Sequence, residues 1–166
     1  MIQTKMKKNK FHSFFWLALS IVWALTGISC GRDKVIESYH PFPGGIWQRY
    51  DIVKFEIPLA KTSKPVNVIF FVRTGPQFSQ DHLPFNMVMN TPSGEERIME
   101  YDLEITPGKE ALKAGGQQDT ERTMVLKRGL LITGGGKLQL EIENLVPRMK
   151  LEGISGIGIR IVAGTE

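Results

Sequence analysis

Val53, Phe55 and Ile57 alternate with Lys54, Glu56 and Pro58, a period of two that puts one face of a strand in a core and the other in water. Pro58 has no N–H to donate to a ladder, so it ends this strand's pairing or marks it as an edge. Val66 to Arg73 reads differently. Val68, Ile69, Phe70, Phe71 and Val72 follow one another without a polar break, as in a central strand covered on both faces. Phe85, Met87 and Met89 alternate again, and Pro92-Ser93-Gly94-Glu95 supplies the turn chemistry of a hairpin. Its return arm is Arg97 to Ile105, where Met99, Tyr101, Leu103 and Ile105 lie out of phase with Ile98, Glu100, Asp102 and Glu104, an alternation broken only by Ile98.

Further strands are predicted over Met124 to Thr133 and over Lys137 to Glu143, joined by Gly134-Gly135-Gly136. Ile157, Ile159 and Ile161 share one face of the last one. Residues 107–122 read as loop, with Lys109 to Ala114 the only stretch able to form a short helix. No internal repeat is visible. Six to eight short strands and almost no helix predict an all-β fold: a single antiparallel β-sandwich, jelly-roll or Ig-like.

The N-terminal pattern is of another kind. Lys5, Lys7, Lys8 and Lys10 precede an apolar run from Phe14 to Leu25, which closes on Thr26-Gly27-Ile28-Ser29-Cys30. A cationic start, a short apolar core and small residues before a cysteine are the marks of a lipoprotein signal peptide. A membrane-spanning helix needs about 20 apolar residues, and Thr26, Ser29 and Arg32 close this run early. The expected organisation is a signal peptide over 1–29, a lipidated N-terminus and tether over 30–41, and the sandwich over 42–166. Cys30 is the expected lipidation site, carrying the acyl chains, palmitate among them, that hold the protein to a membrane.

Cleavage there changes the charge. The chain has 21 Lys and Arg against 17 Asp and Glu; losing four lysines and no acid leaves an electroneutral remainder. Nucleic-acid binding needs a retained cluster of cations to neutralise phosphates, and none remains. The only cysteine goes to lipid, so stability rests on the apolar core and not on disulfides.

Candidate chemistry is sparse. The glycines at 134–136 and at 153, 156 and 158 precede strands, not the helix N-terminus that a phosphate loop requires; they read as a turn and as close backbone packing. His40 and His82 lack the spacing of a metal site, and Asp81-His82 are neighbours on extended chain, pointing to opposite sides. Glu95, Glu96, Glu100, Asp102 and Glu104 sit at turn or alternating positions typical of a solvated face. No catalytic residue, metal or cofactor is expected. Trp47, Tyr50, Phe78 and Phe85 are the aromatics from which a binding platform would be built, the basis of an alternative reading as a surface lipoprotein that binds glycan through its loops.

The order of pieces resembles the gliding-motility lipoproteins of the GldH type, found in the Bacteroidetes. The resemblance rests on Cys30 in its lipobox, Trp47 before Val53-Lys54-Phe55, Pro65-Val66-Asn67 opening a run that ends in Arg73, Leu83-Pro84-Phe85-Asn86, the turn Pro92-Ser93-Gly94, and Leu151-Glu152-Gly153-Ile154 leading to Gly158-Ile159-Arg160-Ile161. It departs at Ala114-Gly115-Gly116-Gln117, where the family commonly bears Trp-Gly. What the resemblance implies is a non-enzymatic lipoprotein on the periplasmic face of the outer membrane. Its implied partners are other envelope proteins of gliding and of type IX secretion.

Overall fold

Ten strands and one short 3-10 turn make up the structure, a computed structural model that describes residues 35–105 and 119–164. They are β1 (Ile36–Pro41), the turn Pro43–Gly45, β2 (Ile46–Gln48), β3 (Val53–Leu59), β4 (Val66–Thr74), β5 (His82–Asn90), β6 (Glu96–Glu104), β7 (Thr120–Leu130), β8 (Gly136–Asn144), β9 (Lys150–Glu152) and β10 (Ile154–Ala163). Cys30 and the expected helical stretch Lys109 to Ala114 lie outside the described residues.

Two four-stranded antiparallel sheets face each other, in the orders β1-β10-β4-β7 and β3-β8-β5-β6, and β2 pairs with β9 in a small separate ribbon. The β5–β6 hairpin stays within one sheet; every other connection between the eight long strands passes to the opposite sheet. That winding is a jelly roll, not an Ig-like sandwich. Alternation has done what it predicts: β3 is buried at Val53, Phe55, Ile57 and Leu59 and exposed between them. Inward residues of both sheets form the core, with the Phe70 ring 4.5 Å from Phe85 across the layer. Pro58 sits on an edge strand, as its missing donor requires. The β4 run is indeed an inner strand, between β10 and β7.

Folded structure begins earlier than the residue pattern predicts. Residues 36–41, expected to belong to the tether, are instead β1, paired antiparallel along β10 from Ile36↔Ile161 to Pro41↔Gly156. Only Ile36 and Ser38 are half-buried there, so an edge strand this polar carries almost no periodic signal.

The topology separates the loops into two groups. Val35, loops 60–65, 91–95 and 131–135, and Gly164 lie at one end, tied by Thr62 N–H to the Ile132 carbonyl (3.1 Å) and Gly164 N–H to the Pro65 carbonyl (2.8 Å). The opposite end is built from 42–52, 75–81 and 145–153, tied by Phe42 N–H to Ser155, Arg49 N–H to Met149 and Gly75 N–H to Gly153. Gly153 has φ +79°, and a methyl group there would strike the Phe78 backbone.

Candidate functional site

The surface features that stand out are a cleft at the second end and a charged lattice on the outside of one sheet. The cleft, about 490 Å³, is lined by residues of one segment, among them His40, Phe42, Gln48, Tyr50, Asp51 and Ile52. Its shape follows from Trp47. This side chain is fully buried, its ring stacks on Phe42 with centroids 5.1 Å apart, and its indole N–H donates to the Asp51 carbonyl at 2.9 Å. Asp51 N–H in turn donates to the Gln48 carbonyl, which also accepts from Asn144 Nδ2 at 3.0 Å. The loop 48–52 is therefore pinned from below, and its outward side chains are left in water: Tyr50 is 70% exposed, Ile52 50%, and Met149 beside them 65%. Arg49 lies 6.0 Å from the Tyr50 ring. Exposed aromatic and aliphatic side chains at a concavity on a rigid frame, with Met149 exposed on the segment hydrogen-bonded beside it, are the composition of a protein contact surface.

The lattice lies on the outer face of β1-β10-β4-β7. Three registered rows run across it: Glu37–Arg160–Ile69, Tyr39–Gly158–Phe71 and Pro41–Gly156–Arg73. Tyr39 and Phe71 stack at 6.0 Å and 5° across Gly158. Arg160 sits over Phe71 at 4.6 Å and Arg73 over Tyr39 at 4.7 Å, geometry that attracts a cation to the ring face. Both guanidiniums also reach both carboxylates: Arg160 meets Glu37 at 2.9 Å and Glu121 at 3.1 Å, and Arg73 meets them at 3.6 and 3.2 Å. Burial works against the Arg160 charge, but hydrogen bonds and attraction from Glu121 and Glu37 outweigh it, raising its pKa above the usual arginine value. The four charges neutralise one another, so the lattice acts as a clasp that ties edge strands β1 and β7 across β10 and β4.

The expected aromatic platform does not assemble. Trp47 and Phe85 are wholly inside and Phe78 nearly so, leaving Tyr50 alone at the surface. Phe85 packs between Phe70 and Tyr101. His82 pairs not with Asp81 but across the hairpin with Asp102, Nδ1 to Oδ2 at 3.2 Å, both side chains well exposed. His40 opens on the cleft and meets the Phe42 ring edge-on at 5.2 Å. No group of three or more His, Cys, Asp or Glu able to hold a metal occurs among the described residues. The clasp was missed in the sequence, although its signal is visible there: Arg73 and Arg160 interrupt apolar runs two positions after Phe71 and Gly158.

Comparison by sequence points to one family, and comparison by structure finds only distant likenesses. Among solved structures, dimeric latent PorU from Porphyromonas gingivalis is 10% identical with a TM-score of 0.42, over 80% of this chain and 13% of that one. A GH115 4-O-methyl-α-glucuronidase, BtGH115A, is 18% identical with a TM-score of 0.41, over 80% of this chain and 17% of its own. The chain thus spans under a fifth of either protein. By sequence, the gliding motility lipoprotein GldH of Flavobacterium johnsoniae is 23% identical over 144 residues, covering 83% of this chain and 90% of that protein. The GldH lipoprotein family model matches residues 34–161, from just before β1 to the isoleucine after Arg160, and so takes in both the cleft and the clasp. The chain belongs to the GldH lipoprotein family.

Proposed function

We propose that this chain is a non-enzymatic lipoprotein, cleaved before and acylated on Cys30, that serves gliding or the linked type IX secretion by holding envelope proteins at the periplasmic face of the outer membrane. The gliding assignment rests on the family. The contact role is carried by the surface around Tyr50, Ile52 and Met149, where a loop locked by Trp47 and Asn144 leaves large apolar side chains in water. A rigid frame limits the ordering entropy lost when a partner binds. Of the four aromatics expected to form a platform, the glycan alternative keeps only Tyr50 at the surface, beside Gln48 and Asp51 in the cleft.

The test is a photo-crosslinking amino acid in place of Tyr50, in the full chain and the native host. Adducts with gliding or type IX secretion components, together with loss of spreading or secretion in a folded Tyr50→Ser/Ile52→Ser variant, are expected. Adducts with polysaccharide would replace this reading with the glycan one. Normal motility and secretion in that variant would remove the contact role.

A further inference from the structure

The end of the sandwich opposite the cleft faces a question of its own, because the chain enters the fold there. Only five peptide links separate Cys30 from Val35, the first described residue, and they span at most about 18 Å. If Cys30 is acylated as proposed above, on which this inference rests, that end is kept within reach of the headgroups. The cleft end is farther off by the length of a strand such as β4, nine residues or about 30 Å.

Charge decides which side the domain turns to the bilayer. The outer face of β3-β8-β5-β6 shows Glu56, Glu100, Asp102, Glu104 and Glu141 to solvent or half-covered, and its lysines Lys54 and Lys137 are already paired with Glu141 and Glu56, each at 2.7 Å. Phosphate headgroups repel such a face. The end around loops 60–65 and 131–135 has the opposite make-up. Lys61, Lys64 and Arg128 are exposed there beside Glu96 and Glu95, the latter paired with Arg97, and Leu131, 56% exposed, stands between buried Leu130 and Ile132. An exposed apolar side chain on the same end as long cations suits a phospholipid interface, with the leucine among the acyl-chain ends and the cationic groups on phosphate.

We infer that this end of the sandwich is a membrane-docking surface: Leu131 inserts at the phospholipid interface, Lys61, Lys64 and Arg128 engage its phosphates, and the Tyr50 cleft is held out in the aqueous compartment. The acyl anchor keeps the protein at the membrane; the docking surface gives it one orientation.

Cys30 is the chain's only cysteine, and with its sulfur acylated a second cysteine is a unique labelling site. Full-length protein with Leu131→Cys or Tyr50→Cys, each labelled with a fluorophore, is reconstituted in vesicles of phosphatidylethanolamine and phosphatidylglycerol containing headgroup-nitroxide lipid. Quenching at 131 several-fold above that at 50, and reduced by Lys61→Glu/Lys64→Glu, is expected. Equal quenching at both positions, or more at 50, overturns the orientation. A maleimide reaction on the unsubstituted protein separates the two readings. A blocked Cys30 with no excess quenching at 131 overturns docking alone, whereas a free Cys30 thiol overturns acylation and docking together.

Discussion

Phe71 of β4 lies directly opposite Gly158 of β10 and occupies the space that a side chain at 158 would need. A Cβ at 158 would strike the phenyl ring and crowd the Ser38 carbonyl on β1. Phe71 is thereby fully buried although it stands on the outside of its sheet. Glycine in a strand interior is normally replaced by alanine at some gain, since it costs more backbone entropy on folding. Here the sign reverses. Gly158→Ala should lower unfolding free energy by about 1–3 kcal/mol, the usual range for overpacking, and Phe71→Leu should restore part of it. Urea melts of the two single variants and the double variant give the coupling between the sites; additive losses would show that the ring and the glycine are independent.

Arg160 joins Glu37 on one edge strand to Glu121 on the other. These groups are a quarter to a third exposed, so solvent screens them and each pair contributes well under a buried pair's worth; the network as a whole should be worth about 1 kcal/mol. Arg160→Met should cost about that much at low salt, and less in 1 M NaCl, where exposed charges are screened within a few ångströms. Arg160→Lys should fall between, because it keeps the charge and loses the planar fork that meets two carboxylates and a ring at once. Denaturant midpoints at two salt concentrations check this, and a lysine variant as stable as the parent at low salt would count against the forked geometry.

What could be read from the residues alone follows the strength of periodicity. β3, β5 and β8 alternate cleanly because one face is core and the other meets solvent; β6 alternates apart from Ile98, and β10 was legible from isoleucines alternating with Gly156, Gly158 and Arg160. β1 was not, since it is an edge strand whose side chains are mostly exposed, and β2 and β9 are three residues each, too short for any period. The unbroken run in β4 marks an inner strand whose outer face is only partly covered, with Phe71 buried and Ile69 half-buried. The cover on its second face is the strands' own Tyr39, Arg73 and Arg160 and not another layer. Which aromatics face water depends on register across the sandwich, and local sequence does not hold that: Phe85 alternates inward against Phe70, a residue on the other sheet. Tyr50 escapes because the hydrogen bond from Trp47 to the Asp51 carbonyl turns the loop around it.

Trp47 should govern both stability and the shape of the cleft. Trp47→Ala removes a fully buried side chain and should cost about 3–5 kcal/mol. Trp47→Phe keeps much of the volume but leaves the Asp51 carbonyl without its indole donor, a loss of about 1 kcal/mol, and should loosen residues 48–52. Amide hydrogen exchange reports this locally: faster exchange at Asp51, whose N–H donates to Gln48, with the core strands unchanged. Unchanged protection at Asp51 in the phenylalanine variant would show that the indole hydrogen bond does not pin the loop.

Tyr101 supplies the pH-dependent prediction. Its hydroxyl donates to the Leu126 carbonyl at 2.9 Å, joining β6 of one sheet to β7 of the other where both are edges. Burial disfavours the phenolate, and the positive charge of Arg97 offsets this only in part, so the phenol's pKa is raised above the ordinary tyrosine value. The folded state therefore holds this proton more tightly than the unfolded chain does. Its contribution is fully present below about pH 10, the unfolded value, and is lost as pH rises through the folded pKa. Tyr101→Phe should cost about 0.5–1.5 kcal/mol at pH 8, where the hydrogen bond is intact in the parent. At pH 11 the parent should have lost part of that advantage and the variant, with no phenol at this position, should not, so the gap between their urea midpoints should narrow. A gap of constant size from pH 8 to 11 would mean that the Tyr101 proton is held no more tightly in the sandwich than in water, and that the two sheet edges are joined there by packing alone.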